Sequence, residues 1–244
     1  MRDVVLYQLL SLDGVAEEPG DWFSDPGRDV REPDRTALTP PARPAILGGG
    51  ARGPAPGRAR TEGVSPMRDV VLYQLLSLDG VAEEPGDWFS DPGREVFDNL
   101  GRVIAGQDTV LLGRGTYDYW ADYWPTSDVE PFSTFVNRTE KVVFGSAAPD
   151  QRWERSTFVS SPAAGYVARL KREEGGDIGV HGSIRLARSL WREGLVDVLE
   201  LVVAPAVAGR GRRLFEEGFP AERLELTALS RSAAGTLFLT YRRV

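Results

Sequence analysis

The chain has 244 residues, of which 41% are hydrophobic and 27% charged, so it is long enough to bury one core with sequence to spare. Its formal net charge of −7 and pI near 5.0 argue against a general nucleic-acid or anionic-membrane surface. One histidine, His181, and no cysteine exclude disulfides, thiolate-bound zinc and histidine metal clusters, so we predict no metal site and expect an organic cofactor.

The first 28 residues recur letter for letter further along the chain. Residues 1–28 are identical to residues 67–94, an offset of 66 positions. Structural repeats diverge at tolerant positions, so an identical copy indicates a recent duplication or a gene-start artefact. We therefore predict that residues 1–28 stay outside the core and that residues 67–244 form the functional domain.

A Pro-, Gly-, Ala- and Arg-rich segment separates the two copies. Residues 29–66 offer little that could form a packed face, which predicts a disordered linker. Gly48, Gly50 and Gly53 match the pattern G-x-G-x-x-G only formally, because Pro54 follows where a helix should begin.

No apolar run approaches the roughly 18 residues of a membrane span. The apolar run near the N-terminus has Asp3 in front of it and no small-residue cleavage pattern behind it, which argues against a signal peptide. We therefore predict a cytoplasmic protein that does not bind membranes.

Strand and helix patterns alternate along residues 67–244. Residues 69–78 are almost continuously apolar, as in a central strand buried on both faces, and Asp79-Gly80 ends this strand. The chain ends in two strand patterns around a short polar turn, which predicts an α/β sandwich around a mainly parallel sheet with an antiparallel C-terminal hairpin. The other predicted strands are 109–112, 141–144, 156–160, 178–181, 198–204, 224–230 and 236–242, the helices are 95–105, 163–174 and one that begins at Ile184, and 81–94 is a loop.

Two of these strands end in glycine and lead directly into polar or helical sequence. The turns are residues 113–116, GRGT, and residues 182–183, GS. Such a turn places unpaired backbone N–H groups and the positive end of a helix dipole at one point, which suits a phosphate. An ordinary turn capped by serine is the simpler interpretation of the second turn taken alone. A phosphate-bearing ligand is favoured if the two turns lie side by side in the fold.

Four segments together resemble a known family. They are SLDG at residues 77–80, LLGRGTYDYW at 111–120, VHGS at 180–183 and GLVDVLELVVAPAVAGRGRRLF at 194–215. Their order and spacing resemble the RibD-type C-terminal reductase family of the dihydrofolate-reductase-like superfamily. The resemblance implies a three-layer αβα sandwich, NADPH as cofactor and a homodimer. Members of this family reduce a ribosylaminopyrimidine intermediate of riboflavin synthesis, and relatives reduce dihydrofolate or other pteridine-like rings.

The resemblance also implies cofactor-binding residues. Gly113, Arg114 and Thr116 match the turn that holds the cofactor pyrophosphate and brings positive charge near the 2′-phosphate. The second phosphate turn is matched by Gly182 and Ser183, and we add Ile184, which begins the following helix. Ser146 resembles a position near the adenosine 2′-phosphate.

Proton delivery is less well defined by the resemblance. Dihydrofolate reductases carry a carboxylate on the first helix, but here ungapped counting reaches Phe97, with Glu95 and Asp98 only nearby, which argues against folate as substrate. Asp79 and residues 81–88 match the lid beside the nicotinamide. Asp79 is therefore the candidate catalytic residue, with capping of its own turn as an equal alternative.

Two further features have open interpretations. Arg210, Arg212 and Arg213 could hold a substrate phosphate, although a solvated basic loop is the simpler interpretation. For His181, a buried neutral ring bonded to the backbone is favoured over a proton donor. We expect hydride transfer to an electron-poor C=N or C=O carbon of a small molecule, with a catalytically silent NADPH-binding module as the alternative.

Overall fold

A mixed eight-stranded sheet organises residues 67–244, the part of the chain that this computed structural model describes. The predicted duplicate at residues 1–28 and the predicted linker at 29–66 lie outside the described residues. The strands are β1 (Val70–Leu76), β2 (Gln107–Gly113), β3 (Glu140–Phe144), β4 (Ser156–Val159), β5 (Asp177–His181), β6 (Val198–Val203), β7 (Leu224–Arg231) and β8 (Leu237–Arg243). The helices are α1 (Pro85–Trp88), α2 (Arg94–Ile104), α3 (Arg114–Tyr123), α4 (Phe132–Arg138), α5 (Ala163–Leu170) and α6 (Ile184–Arg192), with a 3₁₀ turn at Trp124–Thr126.

The strand order is β4-β3-β2-β5-β1-β6-β8-β7. Strands β4 to β6 in this order are parallel, β8 runs antiparallel to β6, and β7 pairs with β8 as an antiparallel hairpin. The predicted α/β class, mainly parallel sheet and closing hairpin are confirmed. In the described part of the chain, no helix has both the length and the apolar character needed to cross a membrane.

Helices cover both faces of the sheet and make three layers. Helices α5 and α6 pack on one face against alternate residues of β1, such as Val70 and Leu72. On the other face, α2 packs against Val71 and Tyr73, while α3 and α4 pack against β2 and β3. The apolar run of β1 is continuous because each side chain meets a covered face, whichever way it points.

Four helical segments differ from the prediction. Helix α1 is a single turn inside the predicted loop 81–94, and α3 follows the first glycine turn without having been predicted. Helix α4 is not predicted either, since its seven residues carry too short an apolar pattern to stand out. Helix α5 ends at Leu170 and not at Glu174. The next residue, Lys171, is buried and turns its amine toward Asp197, so the chain leaves the helix there.

The Lys171 ion pair joins three elements at the base of the sheet. Lys171 Nζ donates to both carboxylate oxygens of Asp197, at 2.7 and 2.6 Å, and one of these oxygens also accepts the amide of Val70 at 2.8 Å. The pair therefore holds the end of α5 against the beginnings of β1 and β6.

Loss of this amine should destabilise the fold. Lys171→Met keeps the apolar stem but leaves the Asp197 carboxylate without its cation, so we expect the unfolding free energy to fall by about 3 kcal/mol. Arg155→Met is the matched control, because the Arg155–Glu140 pair is 56% and 57% exposed, and its loss should cost under about 1 kcal/mol. Urea denaturation of the full chain measures both, and equal losses would contradict this role for Lys171.

Candidate functional site

The two glycine turns lie side by side at one edge of the sheet. Strands β2 and β5 are parallel neighbours, so their carboxyl ends meet, and each leads into a helix there. The amide of Gly113 donates a hydrogen bond of 2.9 Å to Ser183 Oγ. The predicted adjacency of the turns is therefore confirmed by a direct contact between them.

Glycine is required at position 182 for two reasons. Its φ of +66° lies in the left-handed region, and a Cβ added there would stand 2.8 Å from Cζ2 of Trp120. The backbone of the second turn is therefore in close contact with the Trp120 ring, which no larger residue would permit.

Ser183 is the N-cap residue of α6, but its side chain does not cap the helix. Its backbone has φ −91° and ψ 78°, and its side chain makes no capping hydrogen bond with α6. The hydroxyl instead reaches the Gly113 amide on the neighbouring turn. The interpretation as an ordinary serine cap is wrong, because the oxygen that would cap α6 is used to join two strands.

A cleft of about 990 Å³ opens at these turns. Six of the seven predicted cofactor residues line it, namely Gly113, Arg114, Thr116, Gly182, Ser183 and Ile184. We call this part, residues 113–116 and 182–186, the cofactor end. Ser146 is exposed on the turn after β3 and is absent from the lining. That turn lies against the cofactor end, since a Cβ on Gly145 would be 3.0 Å from Arg114 Cβ.

The other part of the cleft is lined by uncharged and mostly aromatic side chains. We call it the ring end, and its residues are Tyr73, Phe97, Leu100, Trp124, Val129 and Phe132. Ring centroids lie 4.8 Å apart for Trp124 and Phe132 and 5.3 Å apart for Phe132 and His181. These aromatic surfaces can stack against a flat ring of a ligand.

Arg114 is already engaged by the protein. Its Nε lies 2.7 Å from both oxygens of Asp118, and its Nη1 donates to the carbonyls of Ala147 and Ala148 at 2.8 and 2.5 Å. The guanidinium therefore holds the turn after β3 against α3. Most of its donors are used within the chain, which the resemblance did not indicate.

Arg185 is a cation that sequence reasoning missed. It is exposed in the first turn of α6, lines the cleft, and has no hydrogen-bond or ion-pair partner among residues 67–244. Its position two residues after Ser183 was the available signal, since the first turn of a helix is where an anion binds.

His181 is neutral and buried at the junction of the two ends. Its Nε2 lies 2.8 Å from Gln107 Oε1, and burial lowers the pKa of the imidazole to about 3. The predicted neutral state agrees with this environment, but the partner is a side chain and not the backbone. A ring with this pKa is not an imidazolium at neutral pH, so it cannot serve as a general acid, and its Nε2–H donates to the Gln107 amide oxygen.

Asp79 lies outside the cleft lining and anchors a loop. Its carboxylate accepts hydrogen bonds from Ser77 Oγ at 2.6 Å and from the amides of Ala208 and Gly209 at 2.9 and 3.0 Å. Partial burial alone would raise the pKa of Asp79, but these three donors lower it below its usual value. The contacts favour the structural alternative for Asp79 over a catalytic one.

Helix α2 contributes no carboxylate to the cleft. Phe97 and Leu100 are its lining residues. Glu95 accepts the amide of Ala233 at 3.2 Å, and Asp98 lies 3.6 Å from Arg94 on the exposed side of the helix. The α2 residues that line the cleft therefore include no counterpart of the dihydrofolate reductase carboxylate.

The first residues of the lid, residues 81–88, are held by hydrogen bonds to Arg212, and the backbone that follows them is strained. Ala82 donates its amide to the carbonyl of Arg212 at 2.9 Å, and the Glu83 carboxylate binds Arg212 Nε at 2.6 Å and the Arg212 amide at 2.9 Å. Glu84 then adopts a φ of +43°, an unfavourable backbone for a residue with a side chain. Arg212, one of the three arginines of the predicted basic loop, is therefore paired within the protein.

Comparisons with known proteins identify relatives of this chain. Residues 68–238 match the family described as the RibD C-terminal domain. The uncharacterized protein YwjB of Bacillus subtilis (strain 168) is 34% identical over 154 residues, which are 62% of this chain and 84% of that protein. The uncharacterized protein YyaP of the same organism is 27% identical over 183 residues, which are 72% of this chain and 95% of that protein.

Two solved structures share the fold. A protein from Shewanella sp. PV-4, provisionally described as a riboflavin biosynthesis protein, is 18% identical with a TM-score of 0.60, covering 72% of this chain and 99% of its own. A diaminohydroxyphosphoribosylaminopyrimidine deaminase/5-amino-6-(5-phosphoribosylamino)uracil reductase from Thermotoga maritima is 15% identical with a TM-score of 0.52, covering 73% of this chain and 57% of its own. At these identities the likeness concerns the fold alone.

The protonation state of His181 can be tested directly. Because the chain has one histidine, the ring-proton NMR signal of the full chain is unambiguous. The pKa of about 3 predicts no shift of this signal between about pH 8 and about pH 5. Because the pKa of His181 is lower in the folded protein than in the unfolded chain, its contribution to stability is present above the unfolded pKa. This contribution is lost as the pH falls toward 3. A midpoint near about pH 6.5 would contradict burial of a neutral ring.

Proposed function

Because the chain belongs to the RibD C-terminal domain family, we propose that it is an NADPH-dependent reductase. In this proposal it transfers hydride to a pyrimidine or pteridine-like substrate and resembles 5-amino-6-(5-phosphoribosylamino)uracil reductase of riboflavin biosynthesis. The observation that carries the proposal is the hydrogen bond between Gly113 and Ser183, which joins two glycine turns at one end of a cleft whose other end is aromatic.

The residues of the cofactor end fit a dinucleotide. Within residues 67–244, no side chain caps the first turn of α3 or of α6, and Arg185 has no partner, so backbone N–H groups and this cation face the cleft together. Gly113–Thr116 and Gly182–Ile184 would hold the pyrophosphate. When bound, NADPH supplies the hydride.

The protein's own residues would orient the substrate and control water. The ring end positions a flat substrate, and the lid covers the cleft from the side of Arg212. Among the described lining residues, the carboxylates are Glu83 and Glu84, and Glu83 is paired with Arg212. Glu84 and solvent are therefore the proton sources that we propose, in place of His181 and Asp79.

A second candidate function is a catalytically silent NADPH-binding module. The observation that favours it is the absence of a carboxylate from the part of α2 that lines the cleft. The same observation weakens the dihydrofolate reductase alternative, because a protonated pteridine would meet only Phe97 and Leu100 there.

A titration and two turnover assays on the full chain separate these functions. We expect protein binding to change NADPH fluorescence, and we expect oxidation of NADPH with 5-amino-6-(5-phosphoribosylamino)uracil or a closely related pyrimidine. Binding without oxidation by pyrimidines or by dihydrofolate would favour the silent module. No binding would overturn both functions.

Arg185 should contribute to cofactor affinity. We expect Arg185→Gln to weaken NADPH binding about tenfold, because it removes an exposed cation beside the two turns. Arg172→Gln is the matched control, since Arg172 is exposed and does not line the cleft. Fluorescence titration measures both dissociation constants, and equal effects would exclude a local role for Arg185.

We also propose that the chain forms a homodimer through β7. Seven of the eight residues of this edge strand are exposed, including Leu226 at 47% and Leu229 at 60%. A long apolar edge with free backbone groups can pair with the same strand of a second copy.

Sedimentation equilibrium should give twice the chain mass of 26.8 kDa. Leu229→Lys should shift the mass toward the monomer, and a monomeric parent chain would refute the proposal.

A further inference from the structure

The connection between β6 and β7 carries no helix or strand of its own, yet the lid is bonded to it. The amide of Ala82 donates to the carbonyl of Arg212 at 2.9 Å, and the amide of Leu214 donates to the carbonyl of Gly80 at 3.2 Å. We call residues 212–216 the lid anchor. The position of the first lid residues therefore depends on what holds the lid anchor.

Arg188 holds the lid anchor on its other side. Its Nε donates to the carbonyl of Leu214 at 3.0 Å, its Nη2 donates to the carbonyl of Arg213 at 2.6 Å, and its Nη1 lies 2.6 Å from a carboxylate oxygen of Glu216. The Arg188 side chain is only 11% exposed, so water competes little for these donors. Three nitrogens of one planar guanidinium therefore bind one short segment, a geometry that lysine cannot reproduce.

Arg188 belongs to the helix that begins at the cofactor end. Helix α6 starts at Ile184, which lines the cleft together with Arg185, and position 188 lies about one turn further along. Ala187 and Leu190 of the same helix are buried in the core, so the helix is held firmly against the sheet. The Arg188 guanidinium therefore connects a firmly packed helix of the cofactor end to the lid anchor.

The neighbouring arginine of α6 makes a different set of contacts. Arg192 lies 3.4 Å from the Glu216 carboxylate, and its Cζ lies 4.2 Å from the ring centroid of Phe219. In the described part of the chain, the side-chain hydrogen bonds from α6 to the first three residues of the lid anchor all come from Arg188. Removal of Arg192 therefore leaves the backbone next to the lid in place.

We propose that Arg188 is a positioning residue of the reductase, which sets the distance between the lid and the cofactor end by holding the lid anchor against α6. This inference rests on the proposed function. Arg188 is not a cleft-lining residue, so it acts on the reaction through the lid. Arg212 of the lid anchor binds Glu83, and the next residue is Glu84, the proposed proton source. Arg188 thus keeps Glu84 and the lid aligned with the cofactor end.

Three variants of the full chain test this role. Arg188→Met keeps the apolar stem and removes all three polar contacts. Arg188→Lys keeps a positive charge near Glu216 but not the bonds to both carbonyls. Arg192→Met is the matched control, because Arg192 lies on the same helix and is also paired with Glu216.

The expected result is a loss of kcat without a loss of cofactor affinity. We expect Arg188→Met to lower kcat about tenfold, with NADPH and 5-amino-6-(5-phosphoribosylamino)uracil as substrates, and to change the Kd of NADPH by less than about twofold. Arg188→Lys should restore only a small part of kcat, and Arg192→Met should retain the parent kcat. Parent kcat in Arg188→Met, full rescue by lysine, or an equal loss in Arg192→Met would overturn the positioning role.

Hydrogen exchange gives a second measurement that requires no turnover. The amides of Ala82 and Leu214 are bonded between the lid and the lid anchor. We expect both to exchange about tenfold faster in Arg188→Met and in Arg188→Lys, while the amides of β1 and β6 keep their parent rates. Faster exchange throughout the sheet, or unchanged rates at both amides, would contradict the proposal. If the parent chain binds no NADPH, the proposed function fails, and these exchange rates still decide whether Arg188 holds the lid.

Discussion

The parallel pairing of β2 with β5 is the constraint on which the cleft depends. It brings the ends of both strands to one edge, and the hydrogen bond from the Gly113 amide to Ser183 Oγ fixes the spacing of the two turns. Strand β1 lies next to β5, so Tyr73 stands beside His181 and the ring end continues from the same edge. The order of the neighbouring strands β2, β5 and β1 therefore positions both ends of the cleft.

The parts of the fold that local sequence specifies could be predicted, and the parts that depend on distant contacts could not. The apolar run of β1 and the glycine turns carry their own structural signal, because burial and positive φ restrict the residue types that fit. The contact of His181 with Gln107 joins residues 74 positions apart, and the contacts of Arg114 with the loop after β3 span 33 and 34 positions. No local pattern encodes such partners.

At Ser183 the sequence pattern predicts the start of the helix correctly but the hydrogen-bond partner of the side chain incorrectly. A serine before a helix usually caps it, and this expectation is local. Here the parallel neighbour offers a competing amide, and the hydroxyl bonds across the sheet instead. The first turn of α6 therefore keeps its N–H groups free, so a structural contact between strands leaves the helix end available to a ligand.

The anchored base of the lid limits where the cleft can change shape. Residues 79–83 are tied to residues 208–212 by backbone and carboxylate contacts, whereas α1 is a single turn without a buried residue. A rearrangement that widens the cleft is therefore confined to the segment beyond Glu83, and Glu84, in left-handed backbone, is where the chain changes direction. Because α1 contributes no buried residue to the core, the rate of ligand entry and the thermal stability of the sheet can evolve independently of each other.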